Sequence, residues 1–317
     1  AEADEKLYGV SSIGGANSAG VLYSITKEQQ YAKIHDFNFA AGAQPIGTPV
    51  LANNRLWGTT SLGGANNQGV LYSIKTDGTD YQVHINFNGT NGAFTSNGLL
   101  LVADKLWGMT TYGGANQRGV IYTIDTDGTN YNIVHEFADK KGIPFGELVL
   151  AEGKLWGLTR ESQGPQQFFV PGDAQDNGAI FSINLDGTGY TEVHDFAKED
   201  NLDLGLKNGR HPHGSLVLYD GALWGTTTYG GDVGGSNFGT IFKLDISGAI
   251  PVFTKKADFN ANLTGSYPRG NLVVYNNLLY GLTSERGQNN LGSIFSYNPA
   301  TDEMTPRYHF NNPIGGN

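Results

Sequence analysis

Arg160, Arg210, His211, His213, Tyr229, Arg269 and Arg286 combine fixed positive charge, two imidazoles and a phenol within the second half of the chain. Guanidinium groups hold carboxylates through paired hydrogen bonds. An imidazole and a phenol can serve as base and acid. Two chemistries of different class follow. In the first, these groups line a binding groove for a glycan or another anionic ligand. Glu161, Phe168 and Phe169, with Gln166 and Gln167, would extend that groove. In the second, His213, Tyr229 and Arg269 act as base, acid and carboxylate neutraliser in β-elimination from a uronate, as in a polysaccharide lyase. Docking of another protein on the same face is a third reading. No Ser-His-Asp order, metal-spaced His cluster or phosphate loop supports another enzyme class, and of these readings the binding module is the expectation.

The elements that must position these groups come from a repeat. Leu-(Tyr/Trp)-Gly recurs at Leu7, Leu56, Leu106, Leu155, Leu223 and Leu279, at steps of 49, 50, 49, 68 and 56 residues. A period near fifty residues marks a solenoid, propeller or array. In the third unit, Lys105–Tyr112 alternates like a strand and Gly113-Gly114 turns the chain. Gly119–Asp125 and Tyr131–Phe137 are two further strands, joined by the hairpin signal Asp127-Gly128-Thr129. Gly146–Ala151 is the fourth, and it leads into the next triplet. No segment has a sustained helical period.

Four short strands per unit predict an all-β, six-bladed β-propeller, with about four antiparallel strands per blade. The expected domain is single, 1–317. Its blades are near 1–38, 45–88, 97–138, 144–197, 213–260 and 269–311, with a tail at 312–317. The chain begins at the second strand of a unit, so blade 1 is expected to be incomplete or weakly closed. Pro313–Asn317 is a candidate for the missing strand. The apolar runs at Leu99–Val102, Leu148–Leu150, Leu216–Leu218 and Leu272–Val274 are expected innermost and buried on both faces. This phase resembles the kelch blade.

Thr59-Thr60 with Gly63-Gly64, the run Gly69–Ile74, and the His-X-Phe and Pro-X-Gly elements that follow resemble the GloVer-type (choice-of-anchor) tandem repeat of secreted bacterial proteins. The resemblance spans nearly the whole chain. It implies a bacterial propeller that is secreted, periplasmic or on the cell surface, and it brings no functional residues with it.

Composition narrows the partners. The net charge is −10 and no Lys/Arg run exists, which argues against nucleic acid and anionic membranes. No apolar run approaches the ~20 residues of a spanning helix. The chain has no cysteine, which excludes disulfides and thiolate zinc sites. No metal or other cofactor is expected. The expected partner is a polysaccharide or oligosaccharide, bound by a monomer.

Residues that recur in every unit are most economically scaffold. His35, His84, His135, His194 and His309 stand just before the terminal Phe of the outer strand, where Ala257 stands in the fifth unit. They are expected to be structural. The Asp-Gly-Thr turns at Asp77, Asp127 and Asp186 lack the closing Glu of a calcium loop and are expected to be plain turns.

The insertions depart from the repeat. Glu161–Asn177, Lys198–His211, Asp232–Phe238 and Asn260–Tyr267 lengthen loops on one face of blades 4 to 6. On that face the residue inside Pro-X-Gly is expected at the start of each inner strand. It is Ile46, Phe145, His213, Arg269 and Ile314, with Asn97 in the unit that lacks the proline. The exit of the Leu-(Tyr/Trp)-Gly strand, usually Thr-Thr or Thr-Ser, becomes Arg160-Glu161 and Glu285-Arg286 in units four and six. Tyr112 and Tyr229 stand there in units three and five.

Overall fold

Each Leu-(Tyr/Trp)-Gly triplet lies in the strand that pairs with the first strand of its sheet, and alternation sends successive side chains to opposite faces. In the computed structural model, Leu56 packs with Tyr8 and Phe37 of the preceding blade. Trp57 packs with Leu99 and Leu106 of the following one. Leu223 and Trp224 divide their contacts in the same way, against Phe196 and against Leu272 with Leu279. Burial of each tryptophan contributes on the order of 2–3 kcal/mol. The glycine faces an aromatic ring, since Gly58 pairs with Tyr72 and Gly225 with Phe242. A Cβ on Gly225 would stand 2.4 Å from Phe242 Cζ, so no side chain fits.

The structure describes residues 1–3, 5–95, 98–138, 143–160, 177–196, 207–231 and 237–311. Blade 1 comprises β1 (Glu2–Ala3), β2 (Lys6–Ser11), β3 (Val21–Thr26) and β4 (Tyr31–Asp36). Blade 2 comprises β5 (Ala43–Ala52), β6 (Arg55–Leu62), β7 (Val70–Lys75) and β8 (Gln82–Asn86). Blade 3 comprises β9 (Leu100–Val102), β10 (Lys105–Met109), β11 (Val120–Asp125) and β12 (Asn132–Glu136). Blade 4 comprises β13 (Ile143–Ala151), β14 (Lys154–Arg160), β15 (Ala179–Asn184) and β16 (Thr191–Asp195). Blade 5 comprises β17 (Arg210–Pro212), β18 (Val217–Tyr219), β19 (Ala222–Tyr229), β20 (Thr240–Asp245) and β21 (Val252–Asp258). Blade 6 comprises β22 (Ser266–Pro268), β23 (Val273–Tyr275), β24 (Leu278–Glu285), β25 (Ser293–Asn298) and β26 (Glu303–His309). The fold is thus an all-β, six-bladed propeller. Two compact units make it up, Ala1–Asp139 with Ile143–Leu148, and Lys140–Gly142 with Val149–Asn317. Among the described residues no helix is long and apolar enough to cross a membrane.

The recurring threonine has a structural task. Thr60, Thr110, Thr159, Thr227 and Thr283 each accept, at Oγ1, the backbone N–H of the residue that opens the third long strand of the blade. This satisfies a donor at the mouth of the hairpin, where the ladder has ended. The Asp-Gly-Thr turns are likewise closed locally. Asp77, Asp127 and Asp186 accept from both the N–H and the hydroxyl of the threonine two residues on.

Several expectations change. Blade 1 is four-stranded, because Glu2 and Ala3 pair with Leu7 and Lys6, although this first strand is only two residues long. The tail at 312–317 lies outside the described residues. The first strands are not buried on both faces. Leu99, Leu148, Leu216 and Leu272 are buried, but Leu101, Leu218, Val273 and Tyr275 are exposed. The first strand has only one neighbour within its own sheet, so one set of its side chains is left uncovered.

Pro-X-Gly does not open the first strand. It interrupts it, at a register break between Ile46 and Val50 in β5 and at the gaps that separate β17 from β18 and β22 from β23. Trp57 pairs with Val50, Trp107 with Leu100 and Trp224 with Val217, which sets Gly98 level with Thr48 and Ser215. Asn97, assigned to the variable position in the unit that lacks the proline, lies outside the described residues.

The histidines are not one repeated position. His35, His135 and His194 pair with Leu22, Ile121 and Ile180, whereas Ile85 and Tyr308 hold that place in blades 2 and 6. Their work is packing. His35 stacks on Tyr81 and His194 on Phe253, each in the next blade and with planes 5° apart. His84 is the extra residue of a bulge, 2.7 Å from Ser73 Oγ.

Candidate functional site

Strand pairing places Arg210 opposite Tyr229 and so brings the residues before Pro212 next to the exit of β19. The Arg210 guanidinium lies over the Tyr229 ring, 5.4 Å from its centroid. His211 meets the same ring edge-on at 5.3 Å. Tyr267 meets it at 5.3 Å from the neighbouring blade, and Phe238 approaches Tyr267 at 6.3 Å. Arg286 closes the row, with its guanidinium 4.8 Å from the Phe238 centroid. A row of three rings is thus capped by an arginine at each end.

The second feature lies at the strand breaks. His213 Nδ1 is 2.7 Å from the carbonyl oxygen of Arg269. A carbonyl only accepts, so Nδ1 carries the proton and Nε2 is the basic nitrogen. Ser215 N–H donates to Asn271 Oδ1 across the same pair of blades. Burial, with the charges of Arg160 and Arg269, holds the His213 pKa down to about 4. Burial, with Arg210 and Arg160, does the same for His211, again to about 4. Both imidazoles are therefore neutral at pH 7, and the positive charge here belongs to the arginines.

Some of the protein's cations have a carboxylate partner and others do not. Arg55, Lys105, Lys255 and Lys256 are paired with Asp80, Asp125, Asp258 and Asp302. Arg210, Arg269 and Arg286 form no ion pair with another described residue, and Nε of Arg210 is buried without a hydrogen-bond partner. Glu161, Phe168 and Phe169 lie outside the described residues, so the structure adds nothing about them.

Arg160 and Arg286 do not occupy equivalent positions. Arg160 follows the hydroxyl-capping Thr159, as Ser61 follows Thr60. Arg286 instead replaces the first glycine of Gly-Gly. Its carbonyl accepts from Gly292 N–H, as those of Gly63, Gly113 and Gly230 accept from Gly69, Gly119 and Gly239. Its φ is +60°, in the left-handed region where those glycines also lie.

Tyr267 and Phe238 were not singled out from sequence. One local signal was available for Tyr267. The residue before the proline is left-handed at Gln44, His211 and Tyr267, with φ of +55°, +53° and +58°, and Phe94, which precedes Thr95, holds the matching place at +52°. Each turns its N–H onto a carbonyl of the preceding blade, at Ala19, Asn177, Phe238 and Gln68 in the same order. A non-glycine residue held this way is strained, and such strain gathers at ligand sites.

The family model described as the Gloeobacter/Verrucomicrobia repeat matches residues 1–168 and 168–317. The chain belongs to this family. No curated protein matches the Gloeobacter/Verrucomicrobia repeat chain. Solved structures do. One is from a nidogen/laminin complex, at TM-score 0.56 and 13% identity, covering 96% of this chain and 93% of that one. Another is XC5397, a gluconolactonase from Xanthomonas campestris, at TM-score 0.53 and 14% identity, covering 97% and 88%. At such identity the likeness shows the fold alone.

Within the Gloeobacter/Verrucomicrobia repeats the first unit differs in chemistry at matching places. Gln44 and Phe94 stand where His211 and Tyr267 do, and Gly63 and Gly113 where Arg286 does. That unit holds a different polar group at its strand breaks. The Glu147 carboxylate accepts from Thr48 N–H at 3.5 Å and from the Gly98 backbone, and burial pushes its pKa up. Among the described residues no cluster of three or more His, Cys, Asp or Glu is placed to hold a metal.

Proposed function

We propose that the protein is an exported binding module whose ligand is an anionic glycan, held on the aromatic row of blades 5 and 6. The observation that carries this reading is the set of guanidinium groups at Arg210, Arg269 and Arg286, which have no carboxylate among the described residues. Arg210 and Arg286 lie over aromatic rings, an arrangement that suits a sugar acid. The rings offer a flat apolar platform for the pyranose, and the guanidinium offers a paired donor for its carboxylate. Neutral His211 and His213 supply hydrogen bonds without adding charge. Arg210, His211, Tyr229 and Tyr267 are fixed on strands, so these four need little ordering on binding.

Affinity electrophoresis through gels that contain neutral or uronic-acid polysaccharides tests this function. Retarded migration in at least one acidic polysaccharide is expected. Unretarded migration across a broad panel would sink the glycan reading.

Lyase chemistry is a second reading, favoured by the Nδ1–H tautomer of His213, which leaves Nε2 as a base near Arg269. Elimination gives an unsaturated product that absorbs in the near ultraviolet. No such signal is expected, and one abolished by His213→Ala would replace the binding-module reading.

A further inference from the structure

The turns opposite the insert-bearing face hold a cleft of about 450 Å³ between blades 5 and 6. That is within the range of small-molecule sites, roughly 300–1,000 Å³. Tyr219, Asp220, Trp224, Lys243, Lys256 and Asn277 contribute to its wall, and residues 298–300 close it.

Two of these residues break the repeat at structurally equivalent positions. The residue paired with the triplet aromatic is Ser24, Ser73, Thr123, Ser182 and Ser296 in five blades, but Lys243 opposite Trp224 in blade 5. The bulged residue of the outer strand is His84 in blade 2 and Lys256 in blade 5. In blade 2 this pair closes on itself. His84 bonds Ser73, stacks on Trp57 at 4.4 Å, and lies so close under Gly128 of the next blade that a Cβ there would be 2.2 Å from its ring.

In blade 5 the corresponding Lys243 and Lys256 border the cleft instead. Lys243 reaches Asp245 at 3.3 Å and Lys256 reaches Asp302 at 2.9 Å, so each ammonium retains donors beyond its one carboxylate. The lining residues include two lysines and one carboxylate, Asp220, with Asp245 and Asp302 as the lysines' ion-pair partners. Asn277 supplies a carboxamide at the rim, and Trp224 and Tyr219 supply aromatic surface. The matching cleft between blades 2 and 3 is lined by only one cation, Lys105, with Asp104, Asp125 and Asp127.

We propose that this cleft is a second binding site, separate from the aromatic row, for a monosaccharide-sized acid. Its anionic group, a carboxylate or a phosphate, meets the Lys243 and Lys256 ammonium groups. Its hydroxyls meet Asp220 and Asn277.

Titration calorimetry of the full chain with D-glucuronate, glucose 6-phosphate and glucose tests the assignment. Saturable binding of at least one of the two acids, with a Kd below about 10 mM, is expected, and at least tenfold weaker binding of glucose. The two acids separate carboxylate from phosphate as the preferred group. The variant Lys243→Ser/Lys256→His recreates the pair of blade 2, so its melting temperature should be maintained while acid binding falls at least tenfold. Should that variant not fold, Asn277→Ala at the exposed rim gives the same readout with a severalfold loss. Arg286→Gly, at the aromatic row, is expected to leave this binding unchanged. Acid binding that survives both cleft variants, no saturable binding of either acid, or glucose binding as tight as the acids would overturn the proposal.

Discussion

His213 of blade 5 donates its Nδ1–H to the backbone carbonyl of Arg269 in blade 6, 2.7 Å away. The bond ties together the strand breaks of two blades through a ring that stays neutral at pH 7.

That neutrality carries a cost at low pH. The folded pKa values of His211 and His213 are about 4, below the ordinary 6.5. Between those values the unfolded chain takes up protons that the folded chain refuses. Their contribution to stability is therefore full above pH 6.5 and is lost as pH falls toward 4. Melting temperatures recorded across this window should fall. His213→Asn, whose Nδ2 can still donate to the Arg269 carbonyl, should make the fall shallower. An unchanged slope would refute this assignment.

Arg286 sets stability against binding. A left-handed non-glycine residue costs about 1 kcal/mol or more. Arg286→Gly should raise unfolding free energy by about 0.5–1 kcal/mol while it weakens acidic-polysaccharide binding, a pairing typical of functional strain. Denaturant unfolding and affinity electrophoresis on the same sample read both. A loss of stability would show that the stacking of Arg286 on Phe238 matters more to the fold than to a ligand.

Arg269→Ala should weaken binding of an acidic polysaccharide about tenfold at low salt, with the difference shrinking as salt screens the pair. Its backbone carbonyl persists in the variant, so the bond from His213 should survive. Affinity that ignores both salt and this substitution would mean that the guanidinium meets no anion.

The glycine of the triplet should tolerate nothing larger. Gly225→Ala drives a methyl into Phe242 and should cost about 1–3 kcal/mol, the usual penalty for overpacking. Urea unfolding at neutral pH measures it. Phe242→Leu, which removes the ring from above the methyl, should recover part of the loss when combined with Gly225→Ala.

Glu147 predicts a pH effect of opposite sign. Its raised pKa means that the folded state favours the protonated acid. The associated stability is present at low pH and is lost as pH rises from 4.5 through the folded value. Glu147→Gln keeps an acceptor for Thr48 and Gly98 and removes the buried charge. It should match the parent at pH 4 and exceed it by about 1 kcal/mol at pH 7. A variant less stable than the parent at pH 7 would indicate that the charge itself is needed.

The propeller was legible because its signals are local and repeated six times. Strand period, Gly-rich turns and the triplet are each readable within one unit. What escaped depends on register. Arg160 and Arg286 look alike in sequence, yet Arg160 is one residue past the capping threonine and Arg286 is three past its own, on a glycine's backbone. The histidines before the terminal phenylalanine share a sequence neighbourhood, but a single bulge decides which face each ring takes.

Seven candidate residues from Arg160 to Arg286 came from looking at where the units differ. Tyr267 and Phe238 did not, because an isolated aromatic in a loop carries no sign of its partner. Their pairing arises only when blade 6 turns the Tyr267 N–H onto the Phe238 carbonyl. Lys243 was overlooked for another reason. Its departure from Ser or Thr shows only once strand pairing has set it opposite Trp224.

The left-handed residue whose N–H reaches the preceding blade, at Gln44, Phe94, His211 and Tyr267, has a consequence for how such a protein can change. Its N–H, not its side chain, makes the joint to the preceding blade, so the joint is indifferent to what is mounted there. Glutamine, phenylalanine, histidine and tyrosine all occupy it in this one molecule. It behaves as a socket with interchangeable fittings. A lineage, or an engineer, can rewrite the chemistry of the face one fitting at a time, at places where the frame has already absorbed the strain.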